Sequence, residues 1–159
     1  MIMNESGLRA QLVKLLDFDE AHVSFDRAVK GIPPKLRGRL APKAEHSIWQ
    51  LVEHLRIAQA DILEFCLTST YKEKKWPDDY WPEARAPRSA SAWTRAIAGY
   101  RRDRKAMQDL AADPAIDLFA AIPHGTGQTY LREILLVSDH NAYHIGQIVT
   151  LRRALGIWP

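Results

Sequence analysis

Residues 137–151 read Val-Ser-Asp-His-Asn-Ala-Tyr-His-Ile-Gly-Gln-Ile-Val-Thr-Leu, and their spacing decides the fold class. Val137, His140, His144, Ile148 and Leu151 recur every three or four residues, the interval that brings side chains onto one face of an α-helix. No run of alternating Val, Ile and Thr in the 159 residues calls for a sheet. The expected class is all-α. Two histidines four residues apart share an otherwise apolar stripe, with Cβ atoms roughly 6 Å apart.

Working outward, Thr129 is placed to cap this last helix, which should run to Leu155 and stop at Gly156. Residues 113–128, with Asp113-Pro114, Pro123, Gly125 and Gly127, read as a loop. The helix before it is expected from Ser89 or Ser91 to about Ala112, with Trp93, Ile97, Tyr100, Met107 and Leu110 inward. Upstream, Ser47 with Gln50 three positions on makes a capping box. It opens a helix to about Thr68 whose inner stripe is Leu51, His54, Leu55, Ala58, Ile62 and Phe65. A first helix is expected from Glu5 to Lys30, burying Leu8, Leu12, Leu15, Leu16, Phe25 and Val29, with Gly31 and Pro33-Pro34 ending it. Residues 69–88 are too long for a simple interhelical turn and rich in aromatics and proline, so they are expected to cross over one end of the bundle. The prediction is one domain over residues 1–159, a four-helix bundle with a long crossover between helices 2 and 3.

Composition narrows the function. The chain is 47% apolar and 26% charged, enough for one buried core. Nothing approaches the 18 to 20 apolar residues that span a bilayer, so no membrane association is expected. Residues 1–16 lack the pattern of a secretory signal, which makes the cytoplasm the expected location. With Cys66 the only cysteine, any metal must be held by His, Asp or Glu. The net charge of +3 is mild. The basic run Arg101, Arg102, Arg104 and Lys105 is interrupted by Asp103 and points around its helix, and no nucleic-acid partner is expected.

His54 lies on an apolar stripe just as His140 and His144 do. Burying three imidazoles without partners costs several kcal/mol, since each carries a donor and an acceptor. A shared divalent metal removes that penalty. Separate hydrogen bonds within the core would also remove it, and spacing alone leaves both readings open.

The stretch His46-Ser47-Ile48-Trp49-Gln50-Leu51-Val52-Glu53-His54-Leu55 resembles the W-S-x-x-x-x-x-x-H-L signature of DinB-like proteins, with His46 standing where that family often has Trp. His140-Asn141-Ala142-Tyr143-His144-Ile145-Gly146-Gln147 looks like the same superfamily's H-x-x-x-H-x-G-Q. The resemblance implies a four-helix bundle of non-sequential topology, usually dimeric, binding a divalent metal through His54, His140 and His144. Characterised relatives include metal-dependent transferases and isomerases using low-molecular-weight thiols, and metal-dependent hydrolases. A small-molecule substrate, with such a thiol among the candidates, is the partner so implied, together with a second copy of the chain.

Three neutral histidines leave a dication with open positions, as a catalytic site requires. Zinc or nickel is the favoured metal, because no clear carboxylate ligand completes a two-histidine iron site. Gln147, one turn beyond His144, and Tyr143 are candidates to orient a ligand or meet the substrate. Trp76 and Trp81 could close over the open face or simply pack. Glu53 and Asp139 point about 100° away from the histidines, and Asp61, roughly 10 Å along the helix, is expected in a salt bridge. His22 and Asp26 read as a surface pair, Cys66 as a buried inert thiol, and Gly146 as a point of close helix packing. His124, in its loop, is a further candidate to approach the site. A metal-dependent transferase or hydrolase is the leading reading. A non-catalytic metal or ligand-binding module, or a bundle whose histidines only hydrogen-bond, are the alternatives.

Overall fold

The structure, a computed structural model, describes residues 5–17 and 21–159. It contains helices α1 (Glu5–Leu15), α2 (Phe25–Val29), α3 (Ile48–Leu67), α4 (Ala90–Ala112) and α5 (Tyr130–Ala154), with single 3₁₀ turns at Pro34–Leu36 and Asp78–Tyr80. Among the described residues there is no strand, only one isolated bridge between Ala121 and Thr129. The all-α expectation holds. The long helices form a bundle in which α3 lies against α4 and α5, and α1 packs on α4 and α5.

Helix boundaries follow local chemistry. Ser47 accepts from Gln50 N while Gln50 Oε1 accepts from Ser47 N, so the predicted capping box opens α3. Ser89 and Thr129 cap α4 and α5 in the same serine/threonine manner. Gly156, at φ +69°, turns the chain after α5.

The expected first helix from Glu5 to Lys30 is instead two helices; its residues 18–20 lie outside the described residues. Ser24 adopts an extended backbone and its hydroxyl accepts from Arg27 N, which starts α2 afresh. The break lets α2 turn its own face inward, with Phe25 stacked 3.8 Å from the Tyr100 ring. At the other end of α2, Arg152 of α5 donates to the carbonyls of Arg27 and Ala28. Leu15, expected inside, is exposed. Asp26 pairs with Arg101 and Arg104 rather than with His22. Arg102 and Lys105 face Asp103 and Asp109, so every member of the basic run meets a carboxylate.

Two apolar clusters fill the bundle. One gathers Phe25, Ile48, Leu51, Leu55, Tyr100 and Ile148. The other gathers Leu12, Leu63, Met107, Leu118, Ile134 and Val137. Each fully buried Leu or Ile contributes roughly 1.5–3 kcal/mol. Between the clusters runs a polar layer: Gln59 donates to Tyr100 O at 2.8 Å, and Asn141 Nδ2 donates to Gln59 Oε1 at 3.0 Å. His54 belongs to this layer.

The crossover is fastened to the start of α3. Ser47 Oγ donates to Arg85 O at 2.5 Å, Gln50 Nε2 donates to Pro82 O at 3.2 Å, and a Cβ at Gly38 would fall 2.4 Å from that of Ala86. Tyr80 and Trp81 are thereby laid on the open side of α3. Gly146 does not mark a close packing point among the described residues: it is exposed, and a Cβ there would meet none of them within 4 Å. No helix of the described residues is long and apolar enough to cross a membrane.

Candidate metal centre

His54 projects from α3, and His140 and His144 from successive turns of α5. One ring nitrogen from each converges with the others, all within 4.8 Å of one another. His54 Nε2 and His140 Nε2 are 3.0 Å apart. The structure thus brings together all three histidines that the sequence singled out.

Two of the rings are oriented by their outer nitrogens. His54 Nδ1 lies 3.0 Å from the Tyr80 carbonyl, which can only accept, so Nδ1 carries the proton and Nε2 turns a lone pair inward. His144 Nδ1 donates in the same way to Gln147 Oε1 at 2.7 Å. His140 has no such tie: Asn141 beside it is turned to Gln59, and among the described residues its buried Nδ1 finds no partner in hydrogen-bond geometry. Burial lowers the pKa of all three rings, His54 and His140 to about 4, with the neighbouring histidines adding to the effect on both. Near pH 7 the rings are neutral, the form that ligates a cation.

Aromatic rings cover the cluster. Trp81 stacks on His54 at 3.8 Å and 3°, and His46 stacks on the opposite face of Trp81 at 3.9 Å. Where the family signature often places Trp, His46 still supplies a flat ring against the crossover. Trp76 is exposed and meets His54 edge-on at 6.5 Å. Tyr143 is also exposed, its ring edge-on to His144 at 4.9 Å. A cavity of about 480 Å³ opens beside the histidines, walled by Ala58, Ile62, Leu136, Trp76, Trp81 and Tyr143 and reaching Asp61.

Asp61 is buried and stands apart from the nitrogen cluster. It carries the expected ion pair, to Lys74 at 3.7 Å, and also accepts from the hydroxyls of Tyr71 at 3.2 Å and Tyr80 at 2.5 Å. Burial together with the Asp61 charge raises both phenols, Tyr71 to about 12, so they stay protonated donors. Tyr80 therefore fixes the crossover at both ends: its hydroxyl on Asp61, its carbonyl on His54. Glu53 is taken up by Arg56, and Asp139 is exposed. His124 does not approach the histidines; its Nε2 donates to Phe65 O at 2.8 Å.

The family model described as Mycothiol-S-transferase matches residues 11–156. The chain belongs to the mycothiol-S-transferase family. That family lies within the DinB-like superfamily, in agreement with the two sequence motifs and the helical bundle. Membership points to a metal-dependent thiol S-transferase-like enzyme, and the three histidines form a cluster able to hold the metal. Comparison with curated proteins and with solved structures gave no significant match.

For this mycothiol-S-transferase family member, the sequence missed the Tyr80 carbonyl and the two phenols on Asp61. A backbone acceptor leaves no side-chain signature. The signal for Asp61 was its place seven residues beyond His54 on the same helical stripe.

Proposed function

We propose that His54, His140 and His144 hold one divalent cation, zinc or nickel, and that the protein joins mycothiol, through its thiol sulfur, to a small electrophile. The observation that carries this reading is the convergence of three neutral imidazoles, two of them turned lone-pair-inward by Tyr80 and Gln147. Three ring nitrogens that lie within 4.8 Å of one another, with the Nε2 atoms of His54 and His140 3.0 Å apart, suit a shared cation. A dication held there supplies Lewis acidity that makes a thiol acidic enough to be a nucleophile near neutral pH.

The chain's own residues do the rest. Trp81 and Trp76 shield one side of the histidines from water and give an apolar wall to the electrophile, and Asp61 with Tyr80 keeps that wall in place. In the transfer a sulfur–carbon bond forms, the bond from carbon to the leaving group breaks with its electron pair, and the thiol proton passes to solvent. Residues 1–159 act in this role as one cytoplasmic domain and as a homodimer, for which the exposed Tyr143 and the bare Gly146 on α5 offer a face.

Metal content and turnover test it together. Purified protein should carry close to one zinc or nickel per chain and conjugate mycothiol to 1-chloro-2,4-dinitrobenzene, whereas His144→Ala should lose both properties. Equal metal content in the two proteins removes the site. Metal-loaded protein that is inert with mycothiol but hydrolyses esters or amides removes the transfer.

A further inference from the structure

A second cavity, about 470 Å³, adjoins the first, and the two share Asp61, Ile62, Tyr80 and Leu136 as walls. Their linings differ in kind. The cavity beside the histidines is mostly apolar. The second is walled by Asp61, Glu73, Glu133, Gln128, Thr126 and Arg132, with Phe65 and Tyr71 supplying rings.

Its polar groups are built into the fold. Asp61 and Glu133 are 4% and 2% exposed. The phenols occupy part of the Asp61 carboxylate and Arg132 takes one oxygen of Glu133 at 2.6 Å, leaving acceptor capacity on both. The opposite wall is a fixed turn: Gly125 N donates to Ile122 O at 2.9 Å, Thr126 N donates to Gln128 Oε1 at 2.7 Å, and a Cβ at Gly125 would lie 2.9 Å from the Phe65 ring.

We infer that this cavity holds the polyhydroxylated body of the thiol substrate, so that its sulfur reaches the histidines past Asp61 while the electrophile occupies the apolar cavity under Trp76 and Trp81. The inference rests on the transferase reading above. Its volume lies within the roughly 300–1,000 Å³ of small-molecule sites. Mycothiol carries its cysteine on a glucosamine–inositol unit, a body made of hydroxyl donors. Buried carboxylates and an amide accept from such donors, and aromatic faces cover the apolar side of a sugar ring. An electrophile without hydroxyls would leave the spare acceptor sites on these groups desolvated and unfilled, which disfavours it there. The junction at Asp61 lets both partners meet at the histidines without competing for space.

The experiment compares metal-loaded wild-type protein with Thr126→Trp, which fills the polar cavity, and Thr150→Trp, which fills the separate depression lined by Lys43, His46 and Gln147. KM is measured for mycothiol and for N-acetylcysteine, which lacks the sugar body, with 1-chloro-2,4-dinitrobenzene as electrophile. Metal content and thermal melting establish that each variant is folded. Thr126→Trp should raise KM for mycothiol at least tenfold relative to that for N-acetylcysteine, and Thr150→Trp should leave that ratio within twofold of wild type. The inference is overturned if Thr150→Trp moves the ratio and Thr126→Trp does not, or if wild-type protein shows no preference for mycothiol. Absence of turnover with either thiol overturns the transferase reading itself and the inference with it.

Discussion

Replacing Gln147 with Leu tests how the site is held without removing any of its three histidines. Gln147 Oε1 accepts the Nδ1 proton of His144 at 2.7 Å, and both residues sit on α5, three positions apart. Leucine keeps the helix and the bulk but offers no acceptor, so the imidazole is free to rotate and to place its proton on the inward nitrogen. Loss of such an orienting partner lowers metal affinity about 10- to 100-fold, or about 1.4–2.8 kcal/mol at 1.4 kcal/mol per decade. Folding should change little, since Gln147 is only partly buried. Gln147→Glu should do the opposite and tighten binding, because a carboxylate is a stronger acceptor for the same proton. Competition with a chromophoric zinc chelator at pH 7.5 reads both variants against wild type, with melting of the metal-free proteins as the folding control. Zinc affinities of both variants within twofold of wild type would refute the reasoning: His144 would then not present Nε2 to a metal through the Gln147 bond.

The metal-free protein should lose stability on acidification through its histidines. His54 is depressed from 6.5 to about 4 by burial, so the unfolded chain binds a proton first. The stabilisation is complete above pH 6.5 and is lost as pH falls toward 4, on the order of 3 kcal/mol for this residue. Urea titrations at pH 7, 5.5 and 4.5 should therefore show a steeper decline for wild type than for His54→Leu. Cys66, buried and pushed up to about 12, should not react with Ellman's reagent in native protein at pH 8 and should react fully in guanidinium. Ser47→Ala removes both the α3 cap and the bond to Arg85 O, and should cost about 1–3 kcal/mol in denaturant unfolding while loosening the crossover.

What the sequence revealed was set by short-range chemistry. The Ser47 to Gln50 box, the Thr129 cap and the Gly156 stop each act within a few residues, and the structure places them as read. The histidines were legible because polar rings on apolar stripes are conspicuous, and the two motifs linked α3 to α5. The break before Phe25 was hidden because residues on either side keep a helical pattern, and only the packing of α2 on Tyr100 and Arg152 requires a new start. Gly146 misled for a related reason: a glycine within a helix signals close approach only if a neighbour exists, and none exists among the described residues. The supports of the centre, Tyr80 and Asp61, depend on how a twenty-residue connection folds back, which no local rule determines.

The Gln59–Asn141 hydrogen bond has a consequence for the ligand geometry. Apolar helix faces tolerate axial sliding, since one leucine ridge fits many grooves, and a slip of one residue moves a helix by 1.5 Å. Metal–ligand distances are tolerant to only about 0.2 Å. The buried amide pair, fixed in turn to Tyr100 O, indexes α3 against α5 at a single register one turn or so from the histidines. Replacing both amides by leucine should leave a folded bundle whose histidine set no longer closes on a common point.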